Sequence, residues 1–328
     1  MAFESAEQFD RAAKRSIKES GRDPGTAYRE MLRDRFLCRV FGGADGRFVL
    51  KGGSGLLARI PDARATKDID FATSSRESAK TALRMLNDLA SRDLGDFCSF
   101  KLTNSEESLD ENGYSRLLKL RYASFIGDEE KDPILIDLSL DCSTTLPPEC
   151  VSPANRVRIE GVETCDYLAY PLPDQLADKL CAIMELQPGG WPSSRMKDLV
   201  DVVAYATHEG FSLRQLATAI ESECGKRGMA VPERFEAPSI WRPRFAAFAR
   251  RTGVPQDFAT FDAAVKLAAE FFDPALSASA AGDAEWSYTD LRWSGHRRVT
   301  TSLTTKPPDQ SCRRRSEDMT SITHGIRG

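Results

Sequence analysis

An α/β N-terminal half, an all-helical second half and a disordered C-terminal tail make up the fold class that these 328 residues predict. Three observations carry that reading. Strand-like and helix-like patterns alternate up to about residue 150, every patterned segment after Leu172 has helical spacing, and from Ser277 the chain turns to clusters of Ser, Thr, Ala and Arg without apolar periodicity. Apolar residues three or four apart mark one face of a helix, whereas alternation marks a half-buried strand. The expected boundaries are 1–150, 151–276 and 277–328.

Residues 6–19 and 24–40 read as helices, the second with Tyr28, Leu32, Phe36 and Val40 four apart and with Gly42 and Gly43 to stop it. Arg47-Phe48-Val49-Leu50 is a short apolar strand that runs into Lys51-Gly52-Gly53-Ser54-Gly55 and then Leu56-Leu57-Ala58-Arg59, which predicts strand, glycine turn and short helix. After a loop at Pro61 and Asp62, Asp68 to Phe71 alternate polar and apolar as a strand does. A helix over 77–89 and strands over 97–102, 115–125 and 134–140 follow. Beyond Pro147-Pro148 the predicted elements are helices over 173–185, 195–206, 213–224, 240–251 and 258–272. The segment from Ser277, with Pro307-Pro308 and Arg313-Arg314-Arg315, lacks the apolar residues that would offset its ordering entropy. Its slight positive excess suits, at most, a weak RNA-binding tail.

Composition narrows the function. Hydrophobic residues make up 41% and charged residues 29%, with no run near the ~18 apolar residues of a membrane span. Residues 1–21 have no apolar centre of a secretory signal, so a cytoplasmic location without membrane contact is expected. The eight cysteines show no C-x-x-C pair and fall partly in apolar segments, which argues against a zinc site or a disulfide framework. With only His208, His296 and His324 available, histidine chemistry is improbable and carboxylates and lysines must carry any catalysis. The net charge of −4 excludes a protein coated in positive charge but leaves room for a local basic groove.

Asp68 and Asp70 stand one residue apart on a strand, so their carboxylates project the same way. Two such groups repel unless a cation lies between them. Mg²⁺ suits the position, since it binds through one or two carboxylates together with substrate phosphate oxygens. The same Asp-x-Asp would also serve as the wet face of an edge strand. What favours the metal is Gly53-Ser54, at the end of the preceding strand and the start of a helix, where backbone N–H groups bind phosphate. Lys51 precedes these glycines, so the turn is not a Walker A loop.

Phe48 to Ser54 together with Arg64-Ala65-Thr66-Lys67-Asp68-Ile69-Asp70-Phe71 resembles the first signature of the AbiEii/MenT nucleotidyltransferase-like toxins, a branch of the polymerase-β-type superfamily. Asp174 to Met184, with Asp178-Lys179-Leu180, resembles the family's lysine-bearing helix, and Arg195-Met196-Lys197-Asp198-Leu199-Val200-Asp201 its Arg-Lys-Asp-x-x-Asp helix. Thirteen residues separate Ser54 from Asp68, slightly more than the wider superfamily has, and the tail has no counterpart. The resemblance implies an α/β nucleotidyltransferase domain with a mixed sheet, and it makes Asp137 a candidate third carboxylate, although an exposed strand aspartate would look the same.

On this reading Asp68, Asp70, Lys179, Asp198 and Asp201 are the catalytic candidates, and Lys51, Gly53, Ser54, Arg64, Thr66 and Lys179 would bind nucleotide. Asp68, Asp70 and Asp137 would hold Mg²⁺ or Mn²⁺. Asp198 and Asp201, three apart on one helical face, would accept the acceptor's proton or orient Lys179, itself expected to be a solvated point charge. As isolated residues, Lys179 would be an ordinary surface lysine and Asp198 a partner for Arg195. The resemblance further implies a toxin that adds nucleotides, pyrimidines above all, from NTP to the 3′ acceptor end of tRNA, restrained by a cognate antitoxin. Transfer to a protein or small-molecule hydroxyl, or silent binding of nucleotide or RNA, are the alternatives.

Overall fold

The computed structural model describes residues 3–43, 46–61, 63, 66–73, 78–109, 116–140, 142–277 and 282–295, all within one compact unit that ends at Gly295. Helix α1 (Ala6–Glu19) starts at Ser5, whose hydroxyl accepts from the Gln8 N–H, and buries Phe9, Ala13 and Ile17, four apart. Helix α2 (Pro24–Phe41) has Asp23 as its N-cap and proline in its first turn. Strand β1 (Phe48–Leu50) leads into α3 (Gly52–Arg59), and β2 (Ile69–Thr73) returns antiparallel to β1. Helix α4 (Ala79–Ala90) then packs beside the long strands β3 (Cys98–Leu109), β4 (Arg116–Ile126) and β5 (Glu129–Ser139). Strands β6 (Glu149–Val151) and β7 (Tyr167–Ala169) carry the sheet past residue 150.

The sheet order is β3-β4-β5-β2-β1-β7-β6, with β2 parallel to β5, β1 parallel to β7 and the remaining pairs antiparallel, so the sheet is mixed as expected. The distal half of β3, Thr103 to Leu109, is polar and pairs only with β4, which is why the hairpin exceeds its apolar signal. One core lies between this sheet and α1, α2 and α4. The second is built by α5 (Leu172–Met184), α6 (Met196–Ala206), α7 (Leu213–Arg227), α8 (Arg242–Ala249) and α9 (Phe261–Leu276). Leu56 and Ile60, in and just after α3, pack into that second core, so the glycine turn stands at the seam.

The structure corrects the expected start of the tail. Of residues 277–328, Ala284–Ser287 and Arg292–Gly295 form an antiparallel hairpin, β9 and β10, which extends β8 (Phe211–Ser212) into a three-stranded sheet. Trp286 is only 2% exposed, meets the Phe271 ring edge-on at 4.9 Å and donates its indole N–H to the Ala206 carbonyl at 2.7 Å. Trp293 stacks on Phe271 from the second strand. Strands of four residues give too short an alternation to register in the sequence, and two aromatics supply nearly all the burial. Residues 296–328 lie outside the described residues. Trp286→Phe should lower stability by about 1–3 kcal/mol through the lost hydrogen bond and ring volume, measurable as a shifted urea midpoint. An unchanged midpoint would show that the hairpin does not hold the helical core.

Candidate active site

Gly52 opens α3 with φ +57°, and a Cβ there would lie 2.7 Å from the Asp70 Oδ2, so both the backbone conformation and the close carboxylate require glycine. The same Oδ2 accepts from the Gly53 N–H at 3.0 Å and the Ser54 N–H at 3.4 Å. Ser54 Oγ donates to the Asp68 carbonyl and accepts from the Asp70 N–H, each at 3.1 Å. The Lys51 N–H donates to the Asp70 carbonyl at 2.9 Å, and Thr66 Oγ1 donates to the Asp68 carbonyl at 3.3 Å. The turn expected to cradle phosphate thus clasps the Asp68–Asp70 strand, and its two amide donors are engaged by Asp70.

Asp137 stands directly opposite Asp70 in the parallel β2–β5 register, with Lys119 opposite Asp137 on β4. The structure therefore brings the third candidate carboxylate to the first pair. Burial pushes the Asp137 carboxyl above the ordinary carboxylate range, and the charges of Asp68 and Asp70 push it further. Asp70 is raised as well, by burial, with the charge of Lys51 the strongest opposing influence and Lys179 and Lys197 adding to it. Lys197, exposed at the start of α6, bears on both carboxyls, a role that sequence reading missed although the residue stands inside the recognised motif. Arg33 of α2 is also missed: it donates to the Thr66 carbonyl at 2.6 Å and to the Lys67 carbonyl, pinning the segment that leads into Asp68. Arg64 lies outside the described residues.

Among the described residues no group of three or more His, Cys, Asp or Glu side chains is disposed to enclose a metal ion. A Mg²⁺ site of the phosphoryl-transfer kind needs only one or two carboxylates, with phosphate oxygens and water as its other ligands. The mutual repulsion felt at Asp137, together with the Asp70 oxygen that the turn does not use, fits such a cation. Protons compete with it. Because both carboxyls have raised pKa values, divalent-cation affinity should fall as pH drops from about 8 to about 5, earlier than for ordinary carboxylates near ~4. In the metal-free protein the same raised values mean a stability penalty above the folded pKa that protonation relieves. Asp137→Asn should therefore raise the metal-free melting temperature and weaken Mn²⁺ binding; a variant that changes neither would separate Asp137 from the pair.

Lys179 departs from its expected place. It is 2% exposed, not solvated, and its ammonium lies 3.0 Å from Asp198 Oδ1 and 2.6 Å from Asp201 Oδ2, both on α6 and 1% and 0% exposed. Arg195 Nε donates to Asp198 Oδ2 at 2.6 Å. Burial opposes the charge on Lys179, but Asp201 and Asp198 more than offset it and hold the pKa up. Burial likewise opposes the Asp198 carboxylate, and Lys179 and Arg195 bring its pKa down. Helix α5 reaches the turn through Gln175, whose side-chain amide donates to the Gly52 carbonyl at 2.8 Å and to the Tyr205 hydroxyl. The recognised helices thus buttress the turn from behind.

A turn that presents two strand carboxylates to a third is the arrangement of a nucleotidyltransferase. Residues 35–267 match the family described as nucleotidyl transferase AbiEii toxin, type IV TA system, and the chain belongs to that family. Solved structures similar to it include MenT4, a nucleotidyltransferase toxin from Mycobacterium tuberculosis H37Rv, at 16% identity over 70% of this chain and 74% of that one, with a TM-score of 0.44. Another is JHP933 from Helicobacter pylori, at 17% identity over 77% of this chain and 94% of that one, with a TM-score of 0.43. No curated protein sequence matches the chain. No helix among the described residues is long and apolar enough to cross a membrane.

Proposed function

We propose that this protein transfers a nucleoside monophosphate from NTP, a pyrimidine one by family resemblance, to the 3′ acceptor end of tRNA, as the toxin partner of a cognate antitoxin. The observation that carries the reading is the convergence of Asp68, Asp70 and Asp137 from two adjacent parallel strands, with Asp137 driven toward protonation by the other two. Asp68 and Asp70 would hold the divalent cation, Mg²⁺ or Mn²⁺. Bound there, the ion would offset the charge that develops on the transferred phosphoryl group.

The protein's own groups do the rest. The positive charges of Lys51 and Lys197 act at Asp70 and so suit the departing phosphates. The acceptor hydroxyl oxygen bonds to the α-phosphorus as the bond to pyrophosphate breaks in line, and the hydroxyl proton goes to Asp137, the carboxyl whose raised pKa suits it to accept one. Lys179, Asp198 and Asp201 act as positioning residues, since their charged atoms face one another in the interior. Incubation with each labelled NTP, Mg²⁺ and total tRNA tests the proposal. Label at the tRNA 3′ end is expected; label on protein or on small hydroxylated molecules instead would move the acceptor to those classes, and no label anywhere would favour silent binding.

A further inference from the structure

The segment between α5 and α6 forms a tight reversal in which the Gln187 N–H donates to the Trp191 carbonyl at 2.8 Å and the Gly190 N–H to the Gln187 carbonyl at 2.9 Å. Gly189 and Gly190 take φ values of +85° and +77°, which only glycine adopts without strain. A Cβ on Gly189 would lie 3.3 Å from the Trp191 ring, so the indole lies along the turn. Just beyond, Ser193 locks the segment to the helical core: its hydroxyl donates to the Ala182 carbonyl at 2.5 Å, and its carbonyl accepts from the Trp241 indole at 3.0 Å.

Despite this anchoring, Trp191 is 72% exposed and Leu186 66% exposed. A rigid turn that holds an indole in water is not explained by packing, because an exposed tryptophan contributes little burial. The charge around it has a definite sign. Lys197 is exposed on the first turn of α6, six residues after Trp191, and its charge reaches Asp70 and Asp137. An aromatic face beside a cation that borders the reaction centre is the pairing by which proteins hold an unpaired base and its phosphate.

We propose that Trp191 is the stacking platform for an unpaired base of a single-stranded nucleic-acid acceptor, whose backbone phosphate lies toward Lys197. A strand fits better than the NTP itself. Pockets for small ligands bury most of the ligand surface, whereas Trp191 offers one open face that only a longer chain would cover. The inference rests on the acceptor being a nucleic acid, as proposed above, and places its end on the helical half.

The test uses the full chain with Asp70→Asn as background, so that binding is read without turnover. Trp241 and Trp286 are buried and Trp293 is half-buried, so acrylamide quenching reports chiefly on Trp191. A short single-stranded RNA is expected to protect Trp191 from acrylamide, a blunt duplex of the same length to protect it far less, and CTP or UTP alone not at all. Trp191→Ala should weaken single-strand binding by about tenfold to a hundredfold, and Trp191→Phe by less, with NTP affinity unchanged. Equal RNA affinity in Trp191→Ala would overturn the proposal. So would protection by free NTP, or protection that appears on raising the protein concentration without RNA, which would assign the face to a second copy. RNA binding through Trp191 without label transfer to any RNA would keep this inference and reject the tRNA reading, while transfer to tRNA with Trp191 unprotected would do the reverse.

Discussion

Lys179→Met should destabilise the protein by about 3–5 kcal/mol, the range for removing one partner from a buried ion pair. The reason is the company it keeps: Asp198 and Asp201 are almost fully buried and aimed at its ammonium, so the variant leaves their charges inside without the lysine. Arg195 still meets Asp198, and it is partly exposed, so it relieves only part of the loss. The pH dependence follows from the two shifts. Asp198 has a lowered folded pKa, so its contribution is present above the unfolded carboxylate pKa and lost as pH falls through the folded one. Lys179 has a raised pKa, so its contribution is complete below the unfolded lysine pKa and lost only as strong alkali passes the folded one. The deficit of the variant should accordingly be flat across neutral pH and shrink in acid. Pairing Lys179→Met with Asp201→Leu should recover part of the stability by about 1–3 kcal/mol, as in other coupled buried pairs. A Lys179→Met protein that melts like the parent and merely loses activity would return the lysine to substrate contact.

That reversal shows where sequence reasoning reaches its limit. A lysine in an amphipathic pattern reads as solvent-facing because an unpaired charge is expelled from a core. Lys179 is admitted because α6 supplies two carboxylates, and a single sequence shows which residues are charged without showing which helices face each other. By contrast, Ser54, Asp68 and Asp70 were legible because their relation is local: a strand, a turn and a strand with a glycine where positive φ is required. Asp137 was legible only as a candidate, since its place opposite Asp70 depends on the register of two strands more than sixty residues apart. Strands β6 and β7 escaped notice because three residues cannot display an alternation, and they join the sheet by pairing with β1 and with each other. Lys197 was visible as part of a motif yet carried no chemistry until α6 placed it near the carboxylates.

Asp70→Asn should reduce nucleotide transfer by at least ~10²–10³-fold, the range seen when a group that stabilises transition-state charge is removed. Asparagine is the informative replacement because its carbonyl oxygen can still accept from the Gly53 and Ser54 N–H groups, which hold β2 to the turn, whereas alanine would strip both bonds together with the charge. The fold should be retained and the metal-free melting temperature unchanged or raised. Burial already disfavours the Asp70 charge, and Asp137 feels that charge as repulsion, so a neutral side chain removes an unfavourable term in the apo protein. The two effects point in opposite directions, which is what distinguishes a functional carboxylate from a structural one. In a structural role, as for Lys179, stability would fall together with activity. Parallel measurement of melting, Mn²⁺ affinity and label transfer separates the cases: higher or equal stability with weaker Mn²⁺ binding and lost transfer is expected. Full transfer by Asp70→Asn would remove this carboxylate from the chemistry and leave Asp68 and Asp137 to hold the cation without it.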